Sequence, residues 1–536
     1  MSTLTLASFL DQLLPTHGRQ VVSYHDDFIG LDGRPQTVQR FEDLHREVAA
    51  MSRFLVEEIG LRRGDLVAIC KTNDHRFFRW FLAAIRAGGI AVPLNPLLTL
   101  AELQRILAHC GARVLVTDSA VFHGAIRSRH ALPVTHWIQA DNHPGLLEGF
   151  RRPSSACLEK SLIAPAQLDP GDTVAIFHTS GTQGFPKGVM LSSRALLGGR
   201  AMAALVAPFL SRRDLALLCL PWAHIMAVST ALYGLMAGVA ARFLERFDAG
   251  QAIAAIERHR ITVFVGVPAM LVKLVNAAPP KEKLASVRLW VSASDHLPRA
   301  CRARLLEYGA FYRFLGRRIV RPLFVNAYGM VELGGSAMFG LDAPFLPGKG
   351  ELCLPVPPYR IRIADTDGRP ARRGQVGECL IKGPGLTSGY WQDPQNTAAL
   401  LTHDGWLHTG DLAVKTRLGL VRLVGRAKDV IKCGGYSVYA PEVEEVIATH
   451  PAVASAAVVG VPHPDKGEVP IAIAELRQGV TPHEGELLAW CRARLAPYKA
   501  PRRIHLVEPG ALPQGVTEKV LKRVLRERYG GDFEGT

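Results

Sequence analysis

The sequence lacks the marks of several protein classes. Its nine cysteines form no Cys-x-x-Cys pair and no regular spacing, which argues against zinc ribbons, dithiol redox motifs and a disulfide framework. No dense basic tract is interleaved with aromatics. The formal net charge of +15 is instead scattered over pairs such as Arg62-Arg63, Arg151-Arg152, Arg372-Arg373 and Arg502-Arg503, as on a solvated basic surface. The opening stretch, MSTLTLASFLDQL, has no basic start followed by an apolar run, unlike a secretory signal. A reducing, cytoplasmic setting is expected. One apolar stretch, Leu215 to Ala241, is long enough to span a bilayer. Pro221, His224, Ser229, Thr230 and Tyr233 interrupt it, so it reads as buried strand, turn and core helix. Internal repeats and low-complexity segments are also missing.

What is present is the composition of a globular enzyme: 536 residues, 48% hydrophobic and 21% charged. That length calls for two or more units. The basic balance favours anionic partners, with nucleic acid, a membrane surface, ATP and coenzyme A all candidates. Apolar, β-branched runs at Asp65–Cys70, Val114–Val116, Thr173–Phe177 and Thr262–Val267 alternate with helical spacing at Phe77–Ala87 and Leu100–His109. Such alternation predicts parallel sheets covered by helices. After about residue 350 the pattern turns to short strands, with Tyr359–Ile363 and Glu378–Ile381 around an Asp367-Gly368 turn. Beyond 425–429 it runs strand, helix (Pro441–Thr449), strand (Val453–Val459), helix (Glu484–Leu495) and a basic tail helix. The expected fold class is α/β. A large N-terminal domain of parallel sheets packed with helices (1–424) carries a β-rich subdomain (about 350–424). A hinge (425–429) joins it to a small mobile α+β C-terminal lid (430–536).

One loop carries chemistry on its face. Thr179-Ser180-Gly181-Thr182-Gln183-Gly184-Phe185-Pro186-Lys187-Gly188 follows an apolar strand. Glycines let backbone N–H groups approach phosphate, hydroxyls add donors, and lysine adds a point charge. It is not a Walker A loop, because Pro186 precedes the lysine and Gly188 follows it. The segment resembles the signature loop of the adenylate-forming superfamily, which includes acyl-CoA synthetases, luciferases and peptide-synthetase adenylation domains. Arg86-Ala87-Gly88-Gly89-Ile90 through Val92-Pro93-Leu94-Asn95-Pro96, and VFVGVPAML at Val263–Leu271, fit further segments in family order, so the resemblance spans nearly the whole chain.

The resemblance implies roles. Thr179, Ser180, Gly181, Thr182 and Gly184 would hold phosphate with Lys187. In Tyr328-Gly329-Met330-Val331-Glu332, Tyr328 would stack on adenine with Gly329 beside it at the nucleotide, and Glu332 would bind magnesium, as a hard oxygen ligand suits. Ser294 and Asp295 lie in the adenine-packing segment. Asp411 of Thr409-Gly410-Asp411 would accept the ribose hydroxyls, with Arg426 as a second ribose or phosphate contact. Lys428 would be the hinge. Lys519 matches the lid lysine that contacts carboxylate and α-phosphate, a cation set on developing negative charge. Lys432, Gly434 and Gly435 match the segment lining the pantetheine tunnel. His224 would gate the acyl pocket or assist the thioester step. Trp222, Gly266, Asn326, Gly334 and Gly335 would line that pocket with it, and the small residues after Glu332 suggest a bulky or branched acyl group.

The implied activity is ligation of a carboxylic acid to coenzyme A through acyl-AMP. Its ligands are ATP or acyl-AMP, Mg2+ and coenzyme A, in a monomer or homodimer with neither nucleic acid nor a membrane span. Four positions depart from the family pattern: Gln183 and Val331 stand where threonine is usual, Ser292-Ala293-Ser294-Asp295-His296 replaces Ser-Gly-Gly-Ala-Pro, and Glu518 replaces the glycine before the lid lysine. They fall on groups serving ATP. This leaves open an enzyme that mainly thioesterifies an adenylate supplied by a partner enzyme. Transfer to a carrier protein in trans is another alternative. A non-catalytic nucleotide-binding protein is a third, against which the retained Lys187, Glu332, Asp411, Arg426 and Lys519 argue.

Overall fold

The computed structural model describes residues 4–141, 143, 145–160, 162–179, 186–198, 210–342, 352–480, 482–515 and 519–532. Two large mixed sheets form the body. One has seven strands in the order Gly389–Tyr390, Lys187–Ser192, Thr173–Thr179, Ile90–Leu94, Leu66–Cys70, Val114–Thr117 and His136–Gln139. Its last five strands are parallel, and Lys187–Ser192 runs antiparallel to Thr173–Thr179. The runs Val67–Cys70 and Val114–Val116 are buried throughout. Parallel strands covered on both faces are apolar at every position rather than at alternate ones.

The second sheet has nine strands, centred on parallel Leu323–Met330, Leu289–Ala293, Val263–Gly266, Leu215–Leu218, Ala240–Phe243 and Val21–Ile29. The helix Arg76–Arg86 is buried along nearly its whole length. Leu100–Cys110 begins at a capping box between Thr99 and Glu102 and ends on Gly111 at φ +72°. The Leu215–Ala241 stretch divides into a strand, a turn, helix Ile225–Ala237 and the first residues of the strand Ala240–Phe243. No helix among the described residues is long and apolar enough to cross a membrane.

Arg360–Ala364, Val376–Lys382, Leu407–Lys415 and Val421–Arg426 form a four-stranded antiparallel sheet. From Ile431 to Leu525 the chain has a hydrophobic core of its own, with Val458, Val461, Ile471 and Leu525 fully buried. A single-turn helix, Ala427–Asp429, connects the two parts. The C-terminal part docks on the body through polar contacts. Glu445 takes a hydrogen bond from the Arg299 backbone at 2.8 Å and pairs with His296 at 2.8 Å, and Arg477 donates to Asn276 at 2.6 Å.

Candidate active site

The strand Leu323–Met330 delivers Tyr328 to the end of the nine-stranded sheet, where the four-stranded sheet meets it. There the Tyr328 hydroxyl donates to Asp411 at 2.6 Å. Asp411 and Arg426 face each other across neighbouring antiparallel strands, and their charged groups lie 3.6 Å apart. Burial pushes the Asp411 carboxyl above its ordinary range, against the opposing pull of Tyr328 and Arg426. Gly329 has no room for a side chain, because a Cβ there would strike the Gly335 carbonyl.

Lys519 comes to the same cleft from the C-terminal part. Its Nζ lies 3.4 Å from the Ser294 carbonyl oxygen and 3.4 Å from the Asp295 carboxylate. Ser294 adopts φ +81°, a left-handed conformation that costs a residue with a Cβ. Burial opposes the charge on Asp295. Lys519 and the His296 backbone N–H outweigh it and hold the carboxyl below its usual value. His224 caps the helix Ile225–Ala237, its Nδ1 accepting from the Met226 backbone at 3.2 Å. Burial, aided by Lys519, lowers its pKa to about 4, so the ring is neutral at physiological pH.

A second cluster gathers Glu332, Lys187 and two residues that the sequence did not flag. Glu332 is 8% exposed and accepts a hydrogen bond from the Tyr390 hydroxyl at 3.0 Å. Lys187 lies over the Tyr390 ring, 4.9 Å from its centre, and donates to Asn396 at 2.6 Å. Burial raises the Glu332 pKa, and the carboxylate forms no ion pair among the described residues. A buried carboxylate without a paired cation, near the Lys187 amine, has the chemistry of a hard oxygen ligand for a divalent ion. Among the described residues no group of three or more His, Cys, Asp or Glu could hold a metal by itself, so phosphate or water would have to complete the shell. Tyr390 stands 58 residues from Glu332, and nothing local distinguishes its Gly389-Tyr390-Trp391 segment from core aromatics.

Ser180, Gly181, Thr182, Gln183 and Gly184 lie outside the described residues, as does Glu518. Thr179 ends the strand Thr173–Thr179 and pairs with Lys187. Lys432, Gly434 and Gly435 occupy the exposed hairpin between Val430–Cys433 and Tyr436–Tyr439. Lys432 bonds there to Ser437 at 3.0 Å, apart from the nucleotide cluster. Lys428 is exposed in the connecting turn, and burial of its amine together with Arg426 lowers its pKa.

A cavity of about 170 Å³ opens beside this cleft at Met226, Ala293 and Ala327, between the nine-stranded sheet and helix Ile225–Ala237. Its wall is formed by residues other than those expected to line an acyl pocket. Trp222, His224, Gly266, Asn326, Gly334 and Gly335 stand behind or beside it, and their neighbours Met226, Val265, Val325, Ala327 and Ser336 form the lining. Trp222 backs the lining residue Phe78, their ring centres 5.1 Å apart. At Gly266 a Cβ would press on the Phe264 ring at 2.8 Å. Gly334 leaves no acyl volume, since a Cβ would lie 2.5 Å from the Ala195 carbonyl oxygen. Gly335 instead admits the lining residue Tyr233, whose hydroxyl would lie 2.7 Å from such a Cβ.

Known proteins resemble this chain over most of its length. The model of the AMP-binding enzyme family matches residues 19–391, and that of the AMP-binding enzyme C-terminal domain matches 442–519. A feruloyl-CoA synthase of an Amycolatopsis species is 32% identical over 503 residues, covering 92% of this chain and 94% of that relative. A methyl-dioxo-octahydroindenyl-propanoyl:CoA ligase of Mycobacterium tuberculosis is 32% identical over 540 residues, covering 98% of each. The ATP-bound crystal structure of MatB from Rhodopseudomonas palustris superposes with a TM-score of 0.82 at 26% identity, covering 99% of both chains.

Proposed function

The chain belongs to the AMP-binding enzyme family, and we propose that it activates a large apolar carboxylic acid as acyl-AMP at the Tyr328–Asp411–Lys519 cleft before passing it to coenzyme A. It is an acid-thiol ligase of the acyl-CoA synthetase class. The observation that carries the reading is the position of Lys519. A lysine from the C-terminal part reaches Ser294 and Asp295, next to the mouth of an apolar cavity.

The residues divide the work. Asp411 and Arg426 would take the ribose, and Tyr328 the adenine face. Lys187 would hold phosphate oxygens from one side and Lys519 the carboxylate and α-phosphate from the other. Positioning and charge neutralisation are what attack of a carboxylate on phosphorus requires. Glu332 would hold magnesium, which supplies further neutralisation of phosphate charge. After pyrophosphate leaves, rotation about Lys428 would remove Lys519 and bring Lys432, Gly434 and Gly435 to the cleft, where the coenzyme A thiol displaces AMP. His224, neutral and fixed through Nδ1, keeps its Nε2 proton as a donor there. The nine free, buried thiols suit a reducing, cytoplasmic setting.

The Lys519–Asp295 pair also favours a second reading, in which adenylation is slow and a partner supplies the adenylate. A carboxylate already on the lid lysine competes with the substrate for it. The experiment is an acid panel with ATP, magnesium and coenzyme A, scored for AMP and acyl-CoA in equal amounts. Equal amounts support the full reaction. Thioester from synthetic acyl-adenylates alone supports the second reading, and thioester from neither source rejects both.

A further inference from the structure

The cavity runs across the strands of the nine-stranded sheet. Its lining passes from Val325 and Ala327 through Val291, Val265, Leu218 and Ala241 to Val22, five strand-to-strand steps in the sheet order. At about 4.8 Å per step this spans roughly 24 Å. A lining drawn out over that length describes an elongated bore, long enough for a linear chain. The helix lines it with Thr230, Ala231, Gly234 and Ala237, opposite Ala216 and Ala241 on the sheet, so small side chains keep the bore open.

The far end is polar. Ser23, Gln39, His75 and Arg79 line it. The Ser23 hydroxyl lies 2.7 Å from His25 Nε2 and donates to Gln39 Oε1 at 3.4 Å. Gln39 donates to Glu47 at 2.9 Å. Arg79 donates to Glu47 at 2.9 Å and to Gln39 at 2.5 Å. The Arg79–Glu47 pair cancels its own charge, and burial keeps His75 neutral. His75 Nε2 is buried without a hydrogen-bond partner among the described residues, which costs stability unless a ligand satisfies it. Beyond Arg79 lies a separate cavity lined also by Glu47, Asp141 and Arg152, so the network is the wall that ends the bore.

We infer that this end is a subsite for an uncharged oxygen group, hydroxyl or keto, at the far terminus of a long, unbranched acid whose carboxylate lies at the Lys519 end. The inference rests on the acyl-CoA ligase reading and names its substrate class. A second carboxylate is disfavoured, because Glu47 already engages the Arg79 charge.

The test compares kcat/KM for thioester formation from palmitic acid, ω-hydroxypalmitic acid, hexadecanedioic acid and cinnamic acid, each also supplied as its adenylate. The expected result is a preference for ω-hydroxypalmitic over palmitic acid of about tenfold, the worth of one good buried hydrogen bond, with the diacid poorest of the long chains. Ser23→Ala and His75→Phe should bring that ratio towards one. Equal rates for the two monoacids in the unaltered enzyme, or a preference for cinnamic acid, would overturn the inference while leaving the ligase reading intact. Thioester from none of the acids or adenylates would remove the ligase reading and this inference with it.

Discussion

Lys519 Nζ stands 3.4 Å from the carboxylate of Asp295, so the lysine proposed to serve the phosphate is paired with an acid from the segment proposed to pack adenine. The pair is part-exposed, with side chains 35% and 47% accessible, and an exposed ion pair is worth at most about 1 kcal/mol. Asp295→Ala is therefore expected to raise ATP–pyrophosphate exchange, by no more than about fivefold. The gain should shrink as salt screens the pair. A fall in exchange would show that Asp295 helps the substrate rather than competing with it.

Ser294 holds φ +81°, a conformation that glycine adopts without steric cost. Ser294→Gly should stabilise the fold by about 1–2 kcal/mol, the cost of a left-handed residue with a Cβ, read as a higher denaturant midpoint at unchanged slope. No gain would mean that the contact of the Ser294 hydroxyl with Met226, at 3.5 Å, offsets the strain.

Glu332 shows a trade between stability and function. Burial raises its pKa above 4.5 in the fold, so the native state holds its proton more tightly than the unfolded chain does. The stability this provides is present below pH 4.5 and lost as pH rises through the folded value. Glu332→Gln keeps an acceptor for Tyr390 without the buried charge. At pH 7.5 it should unfold about 1–3 °C higher than the native enzyme, with the difference vanishing towards pH 4, and it should lose adenylation. A lower unfolding temperature at pH 7.5 would contradict this account.

Histidines give the opposite slope. Burial lowers His25 to about 3 and His178 and His224 to about 4. These groups are neutral in the fold at pH 5, whereas the unfolded chain takes up their protons near 6.5. Stability therefore falls as pH drops from 6.5 towards 4. Both nitrogens of His178 are buried without partners among the described residues, so His178→Phe should flatten that decline in a thermal scan across pH 5 to 7. An unchanged slope would exclude His178 as a contributor.

The legible parts of the fold were those written locally. Continuous apolar runs such as Val67–Cys70 announce parallel strands, and the spacing of Leu100–His109 announces a helix. The Tyr328, Asp411 and Arg426 segments were recognisable singly, and the structure joins them by the 2.6 Å and 3.6 Å contacts. The cavity between the nine-stranded sheet and helix Ile225–Ala237 was not legible. Its wall alternates with the residues chosen for it, because successive strand residues face opposite sides of a sheet: Val325 and Ala327 point in and Asn326 does not. Gly334 looked like pocket volume but accommodates the Ala195 backbone. The polar far end joins Ser23, Gln39, His75 and Arg79 from three separate elements and their connections, which no local spacing brings together.

The central claim is that one cleft performs two half-reactions and that Lys519 serves only the first. The measurement is Lys519→Ala assayed twice with the same acid, for ATP–pyrophosphate exchange and for thioester formation from the synthetic acyl-adenylate. The account predicts a loss of about 10²–10³ in exchange, as for removal of one transition-state donor, with thioester formation from the adenylate within a few-fold of the unaltered enzyme. Equal losses in both assays, or none in either, would contradict it.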